Sequence, residues 1–236
     1  YGRVSRHGVM SYASSFDQIA PIAKTAEDVA IVLSHIAGED NWDATSAESG
    51  DKRYESYLTG DMQGMKVGIP KEYFSDALDA RVREVAEKAI EKFQSLGATI
   101  ENISLPYSKY ALPTYYISVL AEMSSNLARF DGIRYGMRVN DQRESVLKGS
   151  ALLETYLDTR QYGFGDEVKR RVMLGTYILS AGYYDAYYLK AQKVRALLRE
   201  EFEEAYNKVD LIFSPTAPEA AFKIGEKTDD VMKMYL

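Results

Sequence analysis

Apolar residues recur at helical spacing soon after the start of the chain. Val29, Val32, Leu33 and Ile36 share one face of a 3.6-residue turn, Thr25-Ala-Glu-Asp28 offers a hydroxyl to an orphan N–H, and Gly38 supplies a stop. Residues 39–60 are polar, acidic and glycine-containing, and they read as a long exposed connection, the one candidate linker. Trp42 within it reads as cover for a neighbouring surface. The period then changes. Residues 65–70 form a short apolar run ending in Pro70. After Asp79, positions Val82, Val85, Ala86, Ala89, Ile90, Phe93 and Leu96 return to helical spacing before Gly97, and residues 98–105 alternate apolar and polar. Strand, crossover helix and strand predict a βαβ unit, with parallel pairing and a sheet covered by helices.

Beyond Pro113 the pattern predicts helix over 115–129, over about 150–158, and in one long tyrosine-bearing run over 166–206. Gly132, Gly136, Gly163, Gly165 and Gly182 punctuate this part. Residues 209–213 make a compact apolar strand, followed by Ser214-Pro-Thr-Ala-Pro218, whose prolines force the backbone out of a ladder.

Composition narrows the class. With 236 residues, 46% hydrophobic and 27% charged, the chain can build a sizeable globular core. A net charge of -6, with no run of five basic residues, gives no electrostatic footprint for tracking a nucleic-acid backbone. The absence of cysteine excludes a disulfide framework and a thiol nucleophile and fits a cytoplasmic chain. Two histidines without paired spacing argue against a zinc site. No apolar run reaches the ~18–20 residues of a membrane span, and the first residues lack a signal-peptide pattern.

Serine hydrolysis needs an activated hydroxyl and an oxyanion hole, yet neither Ser14-Ser15 nor Ser124-Ser125 sits in a Gly-x-Ser-x-Gly elbow or a glycine-rich loop. The first pair reads as a hydrogen-bonded turn and the second as small packing residues. His7 and His35 show no orienting partner and receive no catalytic role. Binding a small amino acid takes a guanidinium for its carboxylate, a carboxylate for its ammonium and a rigid wall. Arg160, just before Gln161-Tyr-Gly-Phe-Gly165, the adjacent Asp229-Asp230, and Tyr115 behind Pro113 could supply these; each also has an ordinary reading, as a helix-end cation, a solvated loop and a core aromatic. Lys169-Arg170-Arg171 spans most of a turn and reads as solvated surface with local ion pairs. Tyr184 and Tyr188 share one helical face, and Tyr183 and Tyr187 another. They read as core whose hydroxyls need partners, in a helix against a polar cleft or a neighbouring protein chain.

Residues 163–195 (GFGDEVKRRVMLGTYILSAGYYDAYYLKAQKVR), together with Tyr1-Gly-Arg-Val-Ser-Arg6, residues 13–21 (ASSFDQIAP), residues 122–136 (EMSSNLARFDGIRYG) and residues 214–218 (SPTAP), resemble the amidase signature hydrolases, and among these the A subunits of tRNA-dependent amidotransferases in particular. The resemblance covers nearly the whole chain. It implies an α/β fold, a mixed β-sheet covered by helices on both faces, of which residues 1–236 are the C-terminal part of a single domain. It further implies a glutaminase that takes ammonia from glutamine or asparagine through a serine acyl-enzyme, for conversion of Glu-tRNA(Gln) to Gln-tRNA(Gln). The family's nucleophilic serine, bridging serine and lysine belong to a Gly/Ser-rich region upstream of the match to Tyr1, so no catalytic residue is assigned here and the chain alone is expected to be inactive. Tyr115, Arg160 and Asp229 or Asp230 match the positions implied to hold glutamine. The implied partners are the B and C subunits, with tRNA met mainly through a partner. No cofactor is implied in this chain, ATP and Mg being used by the transferase partner. Two other readings stay open: an amidase signature hydrolase with a non-amino-acid substrate, and a non-catalytic scaffold that docks partner subunits.

Overall fold

The computed structural model describes residues 1–48, 50, 52–139 and 150–226. The chain divides into two compact units, one of Tyr1–Thr59 with Tyr110–Ala196, the other of Gly60–Lys109 with Leu197–Leu236.

The second unit is built on the expected βαβ element. Strand β1 (Lys66–Pro70) pairs in parallel with β2 (Thr99–Ile103), in register from Lys66 opposite Thr99 to Pro70 opposite Ile103. The crossover is helix α2 (Ala80–Ser95), whose N-cap Asp79 accepts the Arg81 N–H at 2.8 Å, and Gly97 reverses the chain at φ +95°. A third strand, β3 (Leu211–Ile212), adds to the other side of β1, again in parallel, giving the order β2-β1-β3. Four of the five β1 residues are buried, the mark of a central parallel strand covered on both faces. Val67 and Ile69 pack with Ala98 against Ile90 and Phe93 of α2, and the Phe93 ring meets Phe213 edge-on at 5.2 Å. At Gly68, pointing to the opposite face, a Cβ would stand 2.9 Å from Ile103 Cδ1 and 3.0 Å from Val209 Cγ2, so that face is filled too. The apolar run 209–213 yields only two paired residues, because Val209 is spent in that packing and Asp210 ties the end of β1 by accepting the Lys66 N–H at 2.8 Å.

In the first unit, helix α1 (Ala26–Ile36) starts as its capping pattern predicts, with Thr25 Oγ1 accepting the Asp28 N–H at 3.1 Å. Residues 39–47 are not a loose linker. They fold back on the first residues of the chain: Asp40 accepts the Ser5 hydroxyl at 2.5 Å, Asp43 the Arg6 N–H at 2.8 Å, and Gly2 the Ala47 N–H at 2.9 Å. Helix α3 runs Ala111–Asn126 with a 3-10 turn over Leu127–Arg129, beginning before Pro113 rather than after it. A proline in the first turn lacks only an N–H that would have no partner in any case. Helix α4 (Ala151–Gly163) starts at the cap Ser150, and α5 (Asp166–Leu179) is the main packing partner of α3. Leu120, Ala121 and Ile178 form that interface with Ile117, Leu179 and Tyr188 around them. Gly175 sets its closeness, since a Cβ there would lie 2.0 Å from the Leu120 carbonyl oxygen.

The single run expected over 166–206 is broken. Helix α5 ends at Leu179, Gly182 turns the chain at φ +84°, Tyr184–Leu189 forms a π-helical turn, and α6 (Lys190–Tyr206) continues from it. Extended backbone at the C-cap Ser180 ends α5, and the glycine turn after it redirects a run that the apolar spacing alone would carry through as one helix.

Candidate functional site

Residues 12–17 form a tight turn held from inside and outside. Asp17 accepts the Tyr12 and Ala13 N–H groups at 2.9 and 3.0 Å, and Ala13 accepts those of Phe16 and Asp17, each at 2.8 Å. Helix α3 then grips the turn with side chains one helical turn apart. Glu122 accepts both the N–H and the hydroxyl of Ser15, at 2.8 and 2.5 Å, and Asn126 donates to the Tyr12 carbonyl and the Ser14 hydroxyl, each at 3.0 Å. From the beginning of α6, Arg195 donates to the Ser15 hydroxyl at 2.7 Å and to its carbonyl at 3.1 Å, while its guanidinium carbon lies 4.4 Å from the centre of the Phe16 ring. The Ser14-Ser15 pair is thus the hydrogen-bonded turn that its composition suggested. Ser124 is buried with its hydroxyl donated to the Ala121 carbonyl, a packing residue as expected.

Tyr115 sits in the first turns of α3, 41% exposed, with its ring edge-on to Phe16 at 5.7 Å and to Tyr116 at 5.3 Å. Arg160 belongs to the last turn of α4. One of its amino groups donates to the Ala128 carbonyl at 3.1 Å, and its guanidinium lies 5.9 Å from the Phe164 ring centre. The loop after α3 fixes this corner. Gly132 and Gly136 adopt φ +75° and +88°, the Gly132 N–H donates to the Tyr135 carbonyl at 3.0 Å, and Phe130 meets Phe164 edge-on at 6.3 Å. At Gly132 a Cβ would fall 2.1 Å from Thr159 Oγ1, so only glycine lets this loop lie on α4. Beside Arg160 a hollow of about 490 Å³ is lined by Gln161, Phe164, Lys169, Val172 and Met173.

Tyr115 and Arg160 are not brought together. The arginine is anchored to Ala128, thirteen positions further along α3 and its 3-10 extension, about 20 Å of helical axis from Tyr115. Asp229 and Asp230 lie outside the described residues.

The cations of α5 make the local pairs expected of them. Lys169 meets Asp166 at 3.6 Å, Arg170 pairs with Glu167, and Arg171 donates to Glu167 at 2.8 Å and to the Tyr12 hydroxyl oxygen at 2.7 Å. The tyrosines differ from expectation. Tyr183, Tyr184 and Tyr187 are exposed, and only Tyr188 is half-buried, against the α3–α5 interface. The pairs one helical turn apart survive nonetheless: Tyr183 stacks on Tyr187 at 6.0 Å and Tyr184 lies 5.2 Å from Tyr188. A hydrogen bond with Tyr183 is the first cause that holds the Tyr177 phenol in its neutral form, its pKa pushed up to about 12, with partial burial next. Trp42 is 79% exposed, with its ring beside that of His7, centres 5.6 Å apart.

In the second unit a cavity of about 520 Å³ lies between the residues after β2 and α6, walled in part by Tyr107, Leu197 and Glu201. Glu201 is buried there and accepts the Tyr107 N–H at 2.9 Å. It contains no residue that the sequence nominated. Residues the sequence reading passed over are Glu122, Asn126 and Arg195. Their signal was the four-residue spacing of Glu122 and Asn126, but nothing along the chain shows that their target is a turn more than a hundred positions away.

Among the described residues no group of three or more His, Asp or Glu side chains could hold a metal ion, and no helix is long and apolar enough to cross a membrane. A parallel sheet covered by helices defines an α/β protein. The chain belongs to the amidase family, whose model, described as Amidase, matches residues 1–236. It is 54% identical over 236 residues to the A subunit of glutamyl-tRNA(Gln) amidotransferase from Carboxydothermus hydrogenoformans, covering 100% of this chain and 47% of that one. The crystal structure of the corresponding protein of Thermotoga maritima superposes with a TM-score of 0.73 at 38% identity, over 100% of this chain and 44% of that one. The fold alone is shared with a chain of a vestigial protein complex that reveals the evolutionary origins of an s-triazine catabolic enzyme, at TM-score 0.72, 21% identity, and coverage of 96% and 42%. The chain spans about half the length of the curated relatives it matches.

Proposed function

We propose that this chain is part of the A subunit of a tRNA-dependent amidotransferase, the glutaminase that supplies ammonia for converting Glu-tRNA(Gln) to Gln-tRNA(Gln). The observation that carries the reading is identity above 50% to proteins of that name, sustained over all 236 residues. In this scheme a serine oxygen attacks the side-chain carbonyl of glutamine (or asparagine), ammonia leaves, and water hydrolyses the ester to the free acid. Ser15 and Ser124 are committed to the turn and to α3, so the reading assigns the nucleophile to neither. Tyr115 serves as the wall of the glutamine pocket. For the same glutamine to meet Arg160, which is held at Ala128 some way along the helix from Tyr115, the end of α4 has to move toward Tyr115; the guanidinium then exchanges the Ala128 carbonyl for the α-carboxylate of the substrate, a charge-assisted fork that outweighs a neutral acceptor, and Asp229 or Asp230 receives the ammonium. The B and C subunits are the partners, tRNA is met mainly through them, ATP and Mg serve the transferase partner, and the complex works in the cytoplasm.

The test is ammonia release from glutamine, comparing the 236-residue chain with the complete reading frame, each with and without partner subunits. Release by the complete protein alone is the expected result. Release by the 236-residue chain itself would overturn the assignment, because a serine placed here in packing would then be the nucleophile.

A further inference from the structure

Arg195 has a position that a surface cation does not need. It is half-buried, and both of its terminal nitrogens are used on one residue: Nη1 on the Ser15 hydroxyl at 2.7 Å and Nη2 on the Ser15 carbonyl at 3.1 Å. Glu122 accepts the N–H and the hydroxyl of the same serine. A cation and a carboxylate from two helices therefore hold one residue, with the Ser15 hydroxyl donating to the carboxylate and accepting from the arginine. Charge-assisted bonds of this kind are short and geometrically restrictive. The next residue in the turn, Phe16, lies under the guanidinium, and its ring is perpendicular to that of Tyr115. The chain of contacts runs from Arg195 through Phe16 to Tyr115, all within the first unit.

We propose that Arg195 is a positioning residue for the amide-substrate pocket, fixing the Phe16 ring and through it the angle of Tyr115. The proposal rests on the assignment of Tyr115 as the wall of that pocket. It makes the clamp around Ser15 part of substrate recognition, with Glu122 as counterion and Ser15 as the hydroxyl joining the two. Tyr115 is 41% exposed, and an exposed ring without a neighbour on its edge samples several rotamers, whereas one braced by Phe16 presents a fixed face. Loss of the brace is a loss of substrate binding more than of chemistry.

The experiment uses the complete enzyme with its partner subunits and reads glutamine-dependent ammonia release together with melting temperature. Phe16→Leu removes the ring contact and leaves the clamp in place. Arg195→Lys can still donate to Ser15 but cannot place a guanidinium over Phe16. Both variants are expected to melt close to the parent and to raise the KM for glutamine about fivefold with kcat within about twofold, the scale of one lost aromatic or cation–π contact. The double variant should show much less than the product of the two effects, since both act through one ring. Tyr115→Ala separates the two claims. If it leaves KM unchanged, the wall assignment itself fails. If it raises KM while Phe16→Leu and Arg195→Lys do not, or if the two single effects simply multiply, the positioning role is overturned and Arg195 only ties the turn down.

Discussion

At the scale of single residues, the first unit shows how one side chain can be locally ordinary and still be committed. Arg160 looks like a helix-end cation, and in the structure it does donate to a carbonyl, that of Ala128. A neutral carbonyl is a weaker partner than a carboxylate, so the bond does not preclude the substrate role proposed for it. Arg160→Met in the complete enzyme is expected to raise the KM for glutamine about thirtyfold or more, the lower end of what losing one partner of a charge pair costs. A KM within twofold of the parent would favour a family member whose substrate carries no α-carboxylate. Tyr115 was legible as a site candidate from its place behind Pro113. Its brace was not, because Phe16 stands ninety-nine positions earlier.

Among the elements, packing distance rather than helix propensity separates the glycines. Gly175 lies inside α5, where a glycine costs about 1 kcal/mol relative to alanine. Here a Cβ would meet the Leu120 carbonyl at 2.0 Å and the Ser124 Cβ at 2.7 Å. Gly175→Ala should therefore destabilise the protein by about 2 kcal/mol, lowering the melting temperature by roughly 5 °C, as α3 and α5 are pushed apart. Gly163→Ala, at a position with nothing within 4 Å of the added carbon, should leave melting unchanged or raise it slightly. Equal effects of the two would mean that the α3–α5 contact tolerates a shift. The break over residues 180–182 belongs to the same scale: residues 166–206 carry helical spacing on both sides of it, and an extended Ser180 followed by one positive φ at Gly182 divides them.

For the molecule as a whole, acidity acts where carboxylates bind backbone. The pKa of Asp43 is held well below its ordinary 3.8, first by the Arg6 N–H, then by the N–H and hydroxyl of Thr45; that of Asp40 is lowered by the Ser5 hydroxyl and then the Trp42 N–H. A depressed pKa means that the charged form is favoured by folding. The stabilisation is complete above about pH 5 and is lost as pH falls below about 4. Melting measured between pH 6 and pH 3 should show Asp43→Asn less stable than the parent at pH 6, with the gap narrowing as the Asp43 carboxylate of the unfolded chain takes up its proton. A gap that stays constant through that range would show that the charge of Asp43 does not contribute.

The sequence by itself determined the strands and crossover helix of the βαβ element, the caps at Thr25 and Asp79, the turn around Ser14 and Ser15 and the candidacy of Tyr115 and Arg160, because the pattern that marks each is contiguous along the chain. It also carried the likeness to the amidases, through motifs that are contiguous along the chain. Tertiary structure alone decided that residues 39–47 fasten the first residues of the chain, that α3 begins ahead of Pro113, and that Tyr183, Tyr184 and Tyr187 face outward. It alone set Arg195 and Glu122 together on Ser15. For the strap of residues 39–47 and the clamp on Ser15 the deciding partner is a hydrogen-bonding group distant in sequence, and local spacing says which way a side chain points along its own element but not what stands opposite.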